Sequence, residues 1–304
     1  ALMPDITIKP LRSKGNAIIN LMGAVGGALI LLLTSFFAPD TSNPETANYW
    51  PIFLITAGIM LGTMLILVLT VNEPKLVKKM RIESAEIGID PEEAEHADVT
   101  KKEKLEVKMD PKVKRSLILI LFSISLWFMG YNAVTTAFSK YAVIQLGMQE
   151  SQAALILMVA VIAATVSFIP VGIVSTRIGR KKVIVFGVVL LSLMFGSAFF
   201  YTEFSPLMYV TFGLAGLAWA SINVNSLPMV LEMSKGANVG KYTGYYYTFS
   251  MAAQVATPIL SGLLLEYVGY FTLLPYAALF VASALITMAF VKHGDSKSSD
   301  IKQA

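Results

Sequence analysis

The sequence predicts an all-α integral membrane protein that crosses the bilayer eight times. Three observations carry this. Eight uncharged apolar runs recur along the 304 residues: Ala17–Ala38, Tyr49–Asn72, Ser116–Ser139, Ser151–Thr176, Val183–Thr202, Phe204–Leu231, Tyr242–Leu265 and Tyr267–Val291. Each is long enough to cross a hydrocarbon core of about 30 Å as a helix. Of the 24 Lys and Arg residues, all but Lys140 fall in alternate gaps between these runs, in Lys9–Lys14, Lys75–Arg115, Arg177–Lys182, Lys235–Lys241 and Lys292–Lys302. Positive charge is retained on the cytoplasmic side, so the alternation gives an orientation with both termini inside. Finally, 55% of the residues are hydrophobic and 14% charged, against roughly 25% charged in a soluble domain.

Taken in order, two spans come first, followed by the polar stretch Glu73–Arg115 and then six spans with short loops. Within the polar stretch, Asp90-Pro91-Glu92-Glu93 and Asp110-Pro111 have the cap and first-turn chemistry of helix starts, and short helices on the headgroup surface are expected. The net charge of +4 is the orientation bias itself and argues for no nucleic-acid partner. With no cysteine there is no disulfide framework and no thiol-ligated metal. The two histidines, His96 and His293, lie in polar segments, and no cleavable signal peptide precedes the first span. Ala1–Lys14 reads as the end of a cytoplasmic loop, so a preceding portion is expected.

The six-span block contains an internal repeat. Gly172 and Gly179 close its second helix, Gly262 and Gly269 its fifth, and each pair follows a proline, Pro170 or Pro258. Trp127 and Trp219 sit near the middle of its first and fourth helices. Three-helix units of opposite topology are a building block of secondary transporters, with the substrate site near the midplane.

Polar residues inside the spans fall on helical faces. Thr243, Tyr247, Ser250, Gln254, Thr257 and Ser261 step by three or four along the seventh span. Ser125, Asn132, Thr136 and Lys140 share a face of the third, beside Trp127 and Tyr131. Asn16 and Asn20 align in the first span with Gly23 and Gly27, and Trp219, Asn223 and Ser226 in the sixth, beside Asn225. Small and hydroxylated residues are ordinary helix–helix glue, and Thr56, Thr63 and Thr70 are read so. Amides cost more to leave unpaired. Aromatic faces with amides suit a pyranose, whose C–H surface and hydroxyls they match. The expected substrate-binding set is therefore Trp127, Tyr131, Asn132, Thr136, Lys140, Trp219, Asn223, Asn225, Tyr247 and Gln254.

Gly172-x-x-x-Thr176-Arg177-x-Gly179-Arg180-Lys181 resembles the cytoplasmic signature of the major facilitator superfamily, with Thr176 where an Asp is usual. Residues 3–23 (MPDITIKPLRSKGNAIINLMG) and 127–141 (WFMGYNAVTTAFSKY) are similar to glycoside-pentoside-hexuronide:cation symporters and sucrose carriers. The resemblance implies a twelve-helix fold of two halves, of which the eight spans are the fifth to twelfth. On that numbering, residues 1–72 are the last two helices of the N-terminal half and 73–115 the central loop. Residues 116–292 are a complete C-terminal half, and 293–304 a tail. It further implies a monomer in the cell membrane that moves a sugar or glycoside by alternating access, without a cofactor and with co-transported H+ or Na+. Gly172, Thr176, Arg177, Gly179, Arg180 and Lys181 would then form a gate latch.

No Asp, Glu or His lies inside a span, so the coupling residue is not assigned to this chain. An exporter of amphipathic compounds on the same fold would want a more apolar cavity than these amides give. An intramembrane enzyme would need carboxylates, His or a nucleophile–base pair. A sensor would add a soluble domain.

The topology is testable because the chain has no native thiol. Single cysteines at Asn43 or Glu203 are expected to react with an impermeant reagent in intact cells, and those at Ser84 or Ser298 to be protected. Labelling at Ser84 contradicts the orientation.

Overall fold

The computed structural model describes residues 2–37, 50–86, 109–234 and 239–295. Within them the chain forms ten α-helices: α1 (Leu2–Ile6), α2 (Arg12–Phe37), α3 (Trp50–Thr70), α4 (Glu73–Glu86), α5 (Pro111–Leu146), α6 (Glu150–Ile178), α7 (Arg180–Ala198), α8 (Leu207–Glu232), α9 (Val239–Tyr267) and α10 (Leu273–Phe290). Seven of them, α3 and α5 to α10, are long and apolar enough to cross a membrane. The first predicted span falls on α2, a 26-residue helix. α2 is not among the seven, so the described residues give seven such helices where the sequence predicts eight spans. Of the predicted surface helices, α4 begins the polar stretch. The start at Asp90-Pro91, His96 and the tail beyond residue 295 lie outside the described residues.

Local chemistry sets the helix ends. Asp110 is the N-cap of α5 and accepts from Lys112 N at 2.8 Å, with Pro111 in the first turn, where its missing N–H costs nothing. α6 ends at Gly179 (φ 99°, ψ 146°) and α9 is followed by Gly269 (φ 129°, ψ 159°). Both conformations are essentially reserved for glycine. The repeat noticed in the sequence thus has one backbone cause at its second glycine. Its first glycine differs between copies. A Cβ on Gly172 would lie 2.9 Å from Ala17 Cβ, whereas one on Gly262 would meet nothing within 4 Å.

The packing of the six-helix block follows the same repeat. α5 packs against α9 and α10, and α8 against α6 and α7, while the two third helices, α7 and α10, meet each other. Each unit's first helix therefore rests on the second and third helices of the other. The close approaches match as well. A Cβ on Gly130 of α5 would lie 2.6 Å from Ala277 O of α10, and one on Gly187 of α7 would lie 2.7 Å from Ala218 O of α8. These backbones touch because no side chain intervenes. α2 docks its first turns on α6 and α8. α3 lies outside this packing, with most of its large apolar side chains exposed.

Gly187→Val is expected to destabilise the protein by about 2 kcal/mol through overpacking, although glycine is a poor helix former. Gly23→Ala, where a Cβ meets nothing within 4 Å, should be neutral or slightly stabilising. Thermal unfolding of the detergent-solubilised variants checks both.

Candidate functional site

A cavity of about 180 Å³ lies between α2, α5, α8 and α9. α2 lines it with Asn16, Ile19 and Asn20, α5 with Phe128, and α8 with Asn223 and Leu227. α9 adds Tyr246, Tyr247, Ser250, Met251 and Gln254. Four amides and two phenols surround the space, and none of its lining residues is charged. The Asn20 Nδ2 atom is buried without a partner, so a donor is available here. Tyr246 and Ser226 share a 3.1 Å hydroxyl hydrogen bond that fixes the phenol from behind.

The cavity wall on α8 is shaped by Pro228, which sits inside that helix. Proline has no N–H, so Val224 O loses its partner four residues on. Asn16 supplies one from α2: its Nδ2 donates to Val224 O at 2.8 Å and reaches Asn223 O at 3.2 Å.

Above the polar cavity, on the side away from the basic helix ends, Trp219 of α8 lies face to face with Tyr131 of α5, at 3.6 Å and 2°. Phe128 meets the same indole edge-on at 5.2 Å. Beyond the stack is a second, apolar cavity of about 160 Å³, which Tyr131 also lines, with Leu157, Phe195 and Phe212 among its walls. The aromatic stack therefore stands between a polar chamber and an apolar one.

At the basic end of the bundle, Arg180 is the first residue of α7 and is fully buried. Its Nη1 pairs with Glu232 Oε2 of α8 at 2.7 Å and approaches Pro228 O at 3.4 Å. Its Nε donates to Ser13 Oγ at 2.9 Å and its Nη2 to Lys9 O, both on the segment entering α2. Its backbone N–H donates to Asp295 Oδ1 at 2.6 Å, a carboxylate at a helix N-terminus, where the helix dipole favours negative charge. Lys181 Nζ donates to Val291 O, at the end of α10, at 2.6 Å. One guanidinium thus joins α7 and α8 to the start of α2.

The sequence profile of the Major Facilitator Superfamily matches residues 1–169 and again 120–303. The chain belongs to the major facilitator superfamily. It is accordingly a multi-pass membrane protein of a transporter family. Among solved structures it is similar to the superfamily's proton:xylose symporter XylE, bound to 6-bromo-6-deoxy-D-glucose. The TM-score is 0.68 and the identity 14%, over 99% of this chain and 69% of that one, a likeness of fold. No curated protein sequence matches.

In this superfamily fold the expected binding residues separate into groups. Asn223, Tyr247 and Gln254 line the polar cavity, and Tyr131 and Trp219 form the stack above it. Trp127 is enclosed in the core, its Nε1 without a partner among the described residues. Asn225 is equally buried and donates to Ser221 O of its own helix at 2.9 Å. Asn132 and Thr136 bond back to α5, at Phe128 O and Asn132 O, and Lys140 is exposed one turn further on. None of these five lines the polar cavity. The cavity wall also contains Asn16, Ile19, Asn20, Phe128, Leu227, Tyr246, Ser250 and Met251, none of them in the expected binding set. The spacing of Asn16 and Asn20 on one face was the available signal.

The signature residues also divide. Gly172 and Gly179 serve backbone approach and chain reversal, and Thr176 Oγ1 bonds to Ile173 O at 2.7 Å. Arg180 and Lys181 carry the contacts between helices, while Arg177 is exposed. Arg180→Gln strands Glu232 and is expected to destabilise by about 3 kcal/mol. Arg177→Gln should stay within about 0.5 kcal/mol. Unfolding midpoints of the two purified variants separate these outcomes.

Proposed function

We propose that the chain moves an uncharged sugar or glycoside across the cell membrane by alternating access, with both termini cytoplasmic. The observation that carries the proposal is the polar cavity. Its lining offers amide donors and acceptors, two phenols and the aromatic face of Phe128, without a charge. A charged solute would enter such a space without a counter-charge. A polyhydroxylated neutral one matches it group for group. The unpartnered Asn20 amide is a donor suited to a sugar oxygen.

On this reading residues 1–72 end one half of the transporter, 73–115 form the central cytoplasmic loop, 116–292 form the other half and 293–304 the tail. Arg180 acts as the cytoplasmic latch, because its contacts to Ser13 and Lys9 join the two halves and must part when that side opens. Coupling to H+ or Na+ is part of the proposal. The cavity has no Asp, Glu or His among its lining residues, so no coupling residue is assigned there. The protein works as a monomer in the bilayer.

A second reading, export of amphipathic compounds, draws on the apolar chamber beyond the Tyr131–Trp219 stack. One binding experiment divides the two. Asn20→Leu, Asn223→Leu and Gln254→Leu should each weaken sugar binding to the purified protein about ten- to a hundredfold, as sugar hydroxyls lose partners. Lys140→Gln and Thr136→Ala should leave it nearly unchanged. Binding of amphipathic cations but no sugar, insensitive to the three amide changes, supports the exporter.

A further inference from the structure

Within α8 the Val224 carbonyl has no N–H to accept, because position 228 is proline. The missing donor comes from another helix, through the 2.8 Å bond from Asn16 Nδ2. An ordinary helical carbonyl is already engaged, and a further donor adds little to it. A proline-freed carbonyl in a membrane interior has no water to fall back on, so its partner matters more. Asn16 is buried, and together with Asn223 and Leu227 it forms the wall of the polar cavity. It lies about one turn deeper along α2 than Ser13, the residue that Arg180 Nε holds. On the same face, Ala17 sits where a Cβ on Gly172 would clash, so α2 is seated tightly at this level.

We infer that Asn16 is a positioning residue of the transport cycle: its amide and the proline-freed Val224 carbonyl form an uncharged clasp that holds α2 to α8 at the floor of the polar cavity and favours the form closed at the basic end. The inference rests on the alternating-access reading. The clasp suits a contact that must break and re-form. Both partners are neutral, and both can be taken over by water once the cavity opens. Arg180 closes the outer layer of the same interface with charge, and Asn16 closes the inner layer without it.

The chain has no cysteine, so Ser250→Cys, a near-isosteric change in the buried cavity wall, gives a single reporter. Its modification by an impermeant methanethiosulfonate is followed in inside-out vesicles without sugar. Asn16→Ala and the volume-keeping Asn16→Leu are expected to raise the rate about five- to tenfold, as the closed population loses one buried hydrogen bond. Pro228→Ala returns an N–H to Val224 O within α8. In that background the Asn16 changes should alter the rate by less than about twofold, since the coupling belongs to the pair. The clasp is overturned if neither Asn16 variant moves the parent rate by about twofold, or if both move it equally with and without Pro228. Protection of the same cysteine by sugar is measured in parallel on the parent. Its absence alongside an intact Asn16–Pro228 coupling removes the sugar reading and leaves the clasp standing.

Discussion

The buried guanidinium of Arg180 constrains everything at the basic end of the bundle. A charge removed from water must be matched by fixed partners or it is not tolerated. Here the match comes from four directions: Glu232 on α8, Ser13 and Lys9 at the entry to α2, and Pro228 O. These partners cannot be assembled unless α2 lies against the start of α7 and the end of α8. Once α2 is held there, Asn16 reaches Val224, Gly172 accepts Ala17, and Asn20 turns toward the cavity. The fourth wall of the polar chamber is held near the helix ends by hydrogen bonds from one buried guanidinium, whose charge Glu232 balances from α8.

A second constraint runs through the interior. Membrane helices must satisfy their own backbones, and each internal proline breaks that rule at one carbonyl. α6, α8 and α9 carry such prolines at Pro170, Pro228 and Pro258. In α8 the freed oxygen becomes a bond to another helix. In α9 the proline stands four residues after Gln254, so the backbone there offers an acceptor beside a side-chain amide of the cavity wall. Among the described residues, the break in helical bonding in α8 coincides with a bond to a neighbouring helix.

Much of this architecture was legible in the sequence, because hydrocarbon imposes a simple code. Length, absence of charge and Lys/Arg placement gave the spans from α3 and α5 to α10, and Asp110-Pro111 gave the start of α5. The paired glycines and tryptophans pointed to an inverted repeat, and the packing of α5 and α8 has that symmetry. The site was less legible, because a helical face tells which residues align and not what they face. Tyr247 and Gln254 share a face with Ser250, Thr257 and Ser261. Yet Thr257 and Ser261 are buried and bond to their own backbone, and only Ser250 of these three reaches the cavity wall. Trp127 and Trp219 occupy equivalent places in the repeat. The first is enclosed, the second stacks on Tyr131, and the difference arises from which helices close over them. Arg177 and Arg180 are three residues apart, and only the turn at Gly179 sends the second one inward.

The central claim is that Arg180 seats α2 on the six-helix block. It is tested most directly by the distance between spin labels at Lys14 of α2 and Lys182 of α7, both exposed. One short, narrow distance distribution is expected in the parent, and a longer, broader one in Arg180→Gln. An unchanged distribution in that variant would contradict the claim.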